Sequence, residues 1–188
     1  SILDKMWLSE KSYKVRSGCY VRYVQEQNRN IVLVNGFHPA QIAHFTSPDR
    51  YILVGILHSN SDWNTLKNSM VGATFPEKAE TKSIRGQLYA KAKELGFGEV
   101  TIANNSCHLS AGPVEAAFEI QNFFEKLLSI NIKEEDNQSL FIRKCISKKI
   151  IEDKRVWEYL KNPVISTLEK PIDIFSYTEE MNTDTAVD

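Results

Sequence analysis

The chain has 188 residues, 42% hydrophobic and 25% charged, with a formal net charge of −1, the balance of one ordinary folded domain with an appendage. So small a charge leaves no electrostatic footprint for nucleic acid or an anionic membrane. Three cysteines, Cys19, Cys107 and Cys145, odd in number and far apart, make neither a disulfide framework nor a zinc motif and point to a reducing, cytoplasmic compartment.

No apolar run reaches membrane-spanning length and no signal peptide opens the chain. The first residues, Ser-Ile-Leu-Asp without a leading Met, read as the start of a trimmed or excised piece of something longer. Leu3 to Glu10 is apolar enough for a short strand or helix. Ser17 to Gln27 sets Tyr20, Val21 and Val24 at helical spacing, and Asn28-Arg29-Asn30 turns the chain. Ile31 to Val34 is a β-branched run of the kind covered on both faces of a sheet. Pro39 to Phe45 reads as a helix and Tyr51 to Leu57 as a second apolar strand. Asp62 then caps a helix from Trp63 to Val71.

Gly72 to Gly86 lacks periodicity and reads as a long functional loop. Leu88 to Leu95 is helical, stopped by Gly96-Phe97-Gly98. Val100 to Ile102 is a short buried central strand, and Val114 to Leu128 an amphipathic helix placed to cover the sheet. A charged linker, Lys133 to Gln138, leads to two further helices, Leu140 to Ile151 and Lys154 to Leu160. Beyond Pro163 the chain is irregular, and from Glu179 it is acidic and expected to be disordered. Strands alternating with helices over residues 1–130 predict an α/β or α+β sandwich, a sheet with helices against it, with residues 131–188 as a helical C-terminal extension.

The chemistry concentrates between Ile102 and Glu119. His108 sits between a strand end and a helix start, a rigid position that suits a nucleophile or general base. It also suits a histidine that merely caps a loop. Asn105, Ser110 and Glu119 stand at spacings able to orient an imidazole. The other histidines, His38, His44 and His58, have no cysteine or carboxylate to complete a zinc set. Trp63 and Trp157 read as packing residues, and Lys148-Lys149 as a solvated face.

Two motifs in order carry a resemblance. The loop M-V-G-A-T-F-P-E-K-A-E-T-K-S-I-R-G (Met70 to Gly86) is followed by N-x-x-H-x-S (Asn105 to Ser110) and V-E-A-A (Val114 to Ala117). Together they resemble the nucleoside diphosphate kinases, over roughly Lys11 to Phe124. The resemblance implies a ferredoxin-like sandwich, a mostly antiparallel sheet with helices packed on it. It also implies transfer of a γ-phosphoryl group between nucleoside tri- and diphosphates through a phosphohistidine on His108. Ser110 and Glu119 would hold the ring, with Glu115 as the other possible carboxylate. Asn105 would contact ribose and phosphate, and Thr74, Arg85 and Lys11 would meet phosphates. ATP or another triphosphate as donor, Mg²⁺ and a homo-oligomeric state come with the family.

The departures are specific. Asn68 stands where the family has a phosphate-binding arginine, so Lys67 would have to substitute. K-S-Y-K-V-R-S-G, from Lys11, lacks the family's Pro and Asp. Leu88 to Gly98 looks like an inserted helix. The segment F-H-P-A-Q-I-A-H-F-T-S-P shortens the nucleotide lid, leaving Phe45 as the nearest aromatic for a base. A second reading is therefore carried: a nucleotide-binding or interaction module that keeps the kinase fold with little or no catalysis.

Overall fold

Alternation decides the structure of the N-terminal residues. In the computed structural model, which describes residues 2–8, 11–16, 18–102, 104–105, 107–131, 138–150 and 154–188, C-Y-V-R-Y-V-Q-E forms β2 (Cys19–Glu26). It lies between β1 (Tyr13–Arg16) and β3 (Arg29–Val34) in an antiparallel sheet. Tyr13 faces Val21 and Arg22 faces Leu33 across the ladders. The helical spacing read in Ser17 to Gln27 is thus overridden. Aromatic and β-branched residues fit a pleated surface, and strands on both sides supply the hydrogen bonds. The turn is Gln27-Asn28, both at positive φ (46° and 62°), the two-residue geometry that matches strand twist. Helix α1 (Ile2–Leu8) lays Trp7 over the buried Arg22, with the guanidinium carbon 4.9 Å from the ring centroid, a cation–π arrangement. Phe37, just before α2 (His38–Phe45), meets Trp7 at 5.4 Å and Tyr20 at 6.0 Å.

Two strand expectations are corrected here. Val32 and Val34 are more than half exposed, so β3 is covered on one face only. Tyr51 to Leu57 takes no regular structure, with Tyr51 92% and Leu53 95% exposed. An apolar run becomes a strand only where a neighbour offers ladder bonds, and none pairs with it among the described residues.

The chain divides into compact units 1–55 and 56–188. The second opens with α3, an α-helical turn Trp63–Thr65 continued by a wider π-helical stretch Leu66–Val71. A 3₁₀ turn Pro76–Lys78 precedes α4 (Ile84–Lys91), and α5 (Pro113–Ile120) runs on as π-helix Gln121–Leu127. Then come α6 (Leu140–Ser147), α7 (Lys154–Tyr159), the hairpin β4 (Val164–Ser166) and β5 (Pro171–Asp173), α8 (Ile174–Tyr177) and α9 (Thr183–Val187).

The core of this unit unites Val114 and Ala117 of α5 with Phe141, Cys145, Val156, Leu160 and Ile174. Phe141 and Cys145 are four apart and so share one face of α6. Helix α5 therefore packs on helices rather than on a sheet, and the boundary expected at residue 130 runs through one core. The acidic end expected to be disordered forms α9, tied to α6 by Lys144–Asp184 and Lys148–Asp188 ion pairs. The central strand expected at Val100–Ile102 is instead a short reversal. Thr101 N donates to Asn104 O at 3.2 Å and Asn104 N to Thr101 O at 3.1 Å. The charged linker falls outside the described residues except for Gln138.

The chain is α+β, with small antiparallel sheets and many short helices. Among the described residues no helix is long and apolar enough to cross a membrane.

Candidate active site

Local rules position the loop that reaches the site. Asp62 caps α3, accepting from Thr65 N at 2.8 Å. The π-helical stretch ends at Gly72, whose N donates to Lys67 O at 2.9 Å. Only glycine fits there: φ is 98°, and a Cβ would meet Ser83 Oγ at 2.3 Å. Ser83 is fully buried and caps α4, accepting from Gly86 N at 3.1 Å and donating to Glu80 O at 2.6 Å. Helix α4 thus starts at Ile84. Leu88 to Lys91, the start of the apparent insertion, continues the helix that already carries Arg85, and residues 92–96 turn the chain beyond it.

Arg85 bridges two segments. Its Nη1 donates to Gly72 O at 2.8 Å and its Nη2 to Cys107 O at 2.7 Å. Asn105 Nδ2 donates to Thr74 O at 3.3 Å and Ile102 O at 3.2 Å. The Thr74 loop and the His108 segment are therefore tied side by side.

His108 projects with its side chain 68% exposed, and its Nε2 lies 2.8 Å from Glu119 Oε1. Ser110 Oγ donates to the other oxygen of Glu119 at 2.5 Å. Glu115, one turn earlier on α5, accepts instead from Ala111 N at 2.5 Å. Of the two candidate carboxylates, Glu119 is the one against the imidazole. A carboxylate accepts only, so Nε2 carries the proton of this bond, and in the neutral ring the lone pair is on Nδ1.

The hydrogen bond that His108 donates to Glu119 raises the His108 pKa above its ordinary 6.5, opposed by burial and Arg85 and helped by the charges of Glu119 and Glu115. Burial pushes Glu119 upward, yet the bonds from His108 and Ser110 outweigh it and hold the carboxyl below its ordinary value. Burial raises Glu115, against the bond from Ala111. The pair is thus poised as an imidazole backed by an ionised carboxylate.

Residues that read as packing or tail complete the surroundings. Trp63 Nε1 donates to Ser110 O at 2.8 Å. Glu180 N donates to Ala111 O at 2.9 Å. Gly112 sits so close to the C-terminal segment that a Cβ would meet Thr178 O at 2.3 Å. Lys67 Nζ donates to Glu179 Oε1 at 2.8 Å and to Glu180 Oε1 at 2.5 Å. Asn68 is spent on Asn64 Oδ1 at 2.9 Å.

Six of the seven residues singled out from the sequence, Thr74, Arg85, Asn105, His108, Ser110 and Glu119, meet in one region of the second unit. Lys11 belongs to the first unit, where it is exposed, as is Phe45. No sequence signal marked Trp63 as more than packing or Glu179 and Glu180 as neighbours of this region. Set against protein-family models, curated proteins and solved structures, the chain matches none of them.

Proposed function

We propose that the chain is a nucleoside diphosphate kinase-like phosphotransferase. The Glu119–His108–Ser110 arrangement carries this reading. An exposed imidazole whose Nε2–H is held by a carboxylate presents the Nδ1 lone pair to an incoming electrophile. In the proposed first step Nδ1 forms a bond to the γ-phosphorus of a nucleoside triphosphate as the bond to the diphosphate oxygen breaks, leaving phosphohistidine and nucleoside diphosphate. A second diphosphate reverses the step and leaves as triphosphate. Thr74 and Asn105 lie beside the histidine segment, where polar groups would meet phosphate or ribose oxygens.

Among the described residues no three His, Cys, Asp or Glu side chains gather to hold a metal ion. A magnesium ion carried by the nucleotide's phosphates and water fits such a site, since Mg²⁺ commonly keeps most of its waters. When bound, it would neutralise phosphate charge. A homo-oligomeric, cytoplasmic protein belongs to the same reading. So does a ferredoxin-like sandwich, for which Tyr51–Leu57 and Val100–Ile102, irregular here, would have to form strands in the assembled or nucleotide-bound protein. Persistent fast exchange of the Tyr51–Leu57 amides in both states removes that part.

One observation favours the second reading, a nucleotide-binding or interaction module. Both terminal nitrogens of Arg85 are committed to backbone carbonyls, and Lys67 to carboxylates. Incubation with γ-labelled ATP separates the two. The transferase reading expects acid-labile, base-stable label on the unmodified protein and none on His108→Ala. Nucleotide binding without label on either protein establishes the module instead.

A further inference from the structure

The two oxygens of the Glu180 carboxylate are held by two donors on one face of α3. Oε1 accepts from Lys67 Nζ at 2.5 Å and Oε2 from Asn64 Nδ2 at 3.1 Å. Glu179 adds a second carboxylate to the same ammonium at 2.8 Å. A phosphoryl group offers paired oxygens of the same kind to such donors.

The place is next to the histidine segment. Lys67 lies one turn beyond Trp63, whose indole holds Ser110 O, and the backbone N of Glu180 holds Ala111 O. The turn bearing the two carboxylates is anchored below them by Thr178, which is buried and donates to Ile174 O at 2.9 Å. Lys67 and Glu180 are each about one-third exposed (36% and 35%). Ion pairs this open to water contribute little net stability. A polyphosphate carries more charge than a carboxylate and can enter from solvent.

We propose that Lys67 and Asn64 form a polyphosphate subsite of the His108 region, masked in the free protein by Glu179 and Glu180 and opened when a triphosphate chain displaces them. The proposal rests on the phosphotransferase reading for its location and adds a built-in competitor to it. Glu179→Gln/Glu180→Gln keeps the shape of the turn and removes the competing charge.

The test measures binding of inorganic tripolyphosphate to the full chain by calorimetry, with thermal melts to confirm folding. Glu179→Gln/Glu180→Gln tightens binding about three- to tenfold, and the gain vanishes when Lys67→Gln is added. If the double variant does not fold, Glu179→Gln alone carries the test with a smaller gain of the same Lys67-dependent sign. The gain persists in a His108→Ala background, where no transfer occurs, so the subsite and the transferase reading fail separately. No gain, a gain that survives Lys67→Gln, or no tripolyphosphate binding by any variant overturns the proposal.

Discussion

The indole Nε1 of Trp63 donates to the carbonyl of Ser110 across 2.8 Å, joining residues 47 apart in sequence. That bond fixes the start of α3 to the segment between His108 and Gly112. Trp63→Phe retains most of the ring packing and deletes the donor. The expected loss of stability is about 1 kcal/mol, read as a lower urea midpoint with an unchanged slope. On the transferase reading, self-labelling of His108 should fall by more than that loss explains, because displacing a reacting group slightly costs far more in rate than in stability.

What could be read from the sequence followed local rules. Asp62 acts as a cap within a turn of its own position. The eleven-residue spacing from His108 to Glu119 also survived, because the helical start at Pro113 sets where Glu119 emerges. Ser17 to Gln27 misled because a helical spacing of three side chains competes poorly with strands on both sides. Tyr51 to Leu57 misled in reverse, being apolar enough for a strand yet unpaired. The contact of Lys67 with Glu179 spans 112 positions, and no local pattern encodes it.

Titration should report the His108–Glu119 pair. The folded pKa of His108 lies above 6.5, so its contribution to stability is complete below 6.5 and is lost as pH rises through the folded value. Glu119 lies below 4.5 when folded, so its contribution is present above 4.5 and is lost as pH falls through the folded value. The pair stabilises most between these limits. On the transferase reading, transfer needs the neutral imidazole, so the labelling rate should rise with pH through a midpoint above 6.5. Glu119→Gln removes the leading cause of the shift and should move that midpoint downward. Identical midpoints in a stopped-time labelling series would remove Glu119 from this role.

The shared core makes residues 131–188 a structural necessity for α5. Val114 and Ala117 are 2% and 3% exposed because α6 and α8 cover them, and Phe141 is 4% exposed at the centre. Phe141→Ala should cost about 3–5 kcal/mol, a loss typical of a large buried ring. Truncation after residue 130 should leave the 56–130 segment without dispersed amide resonances. A folded spectrum from the truncated chain would restore the boundary at 130.

Arg85 offers the sharpest division between positioning and phosphate contact. Its guanidinium already spans Gly72 O and Cys107 O, and the planar fork is what lets one side chain reach both. As a latch, Arg85→Ala should destabilise the chain by about 2–3 kcal/mol, since hydrogen bonds from charged donors count for more than neutral ones. Arg85→Lys should recover little, because an ammonium on a flexible stem cannot hold two carbonyls in the same geometry. As a phosphate ligand alone, Arg85→Ala would leave the urea midpoint in place, raise the KM for the triphosphate, and be partly rescued by lysine. Measured together, the denaturation midpoint and the labelling kinetics of both variants decide which task the guanidinium performs. A midpoint that falls in parallel for Ala and Lys assigns Arg85 to the architecture that holds Thr74 beside His108.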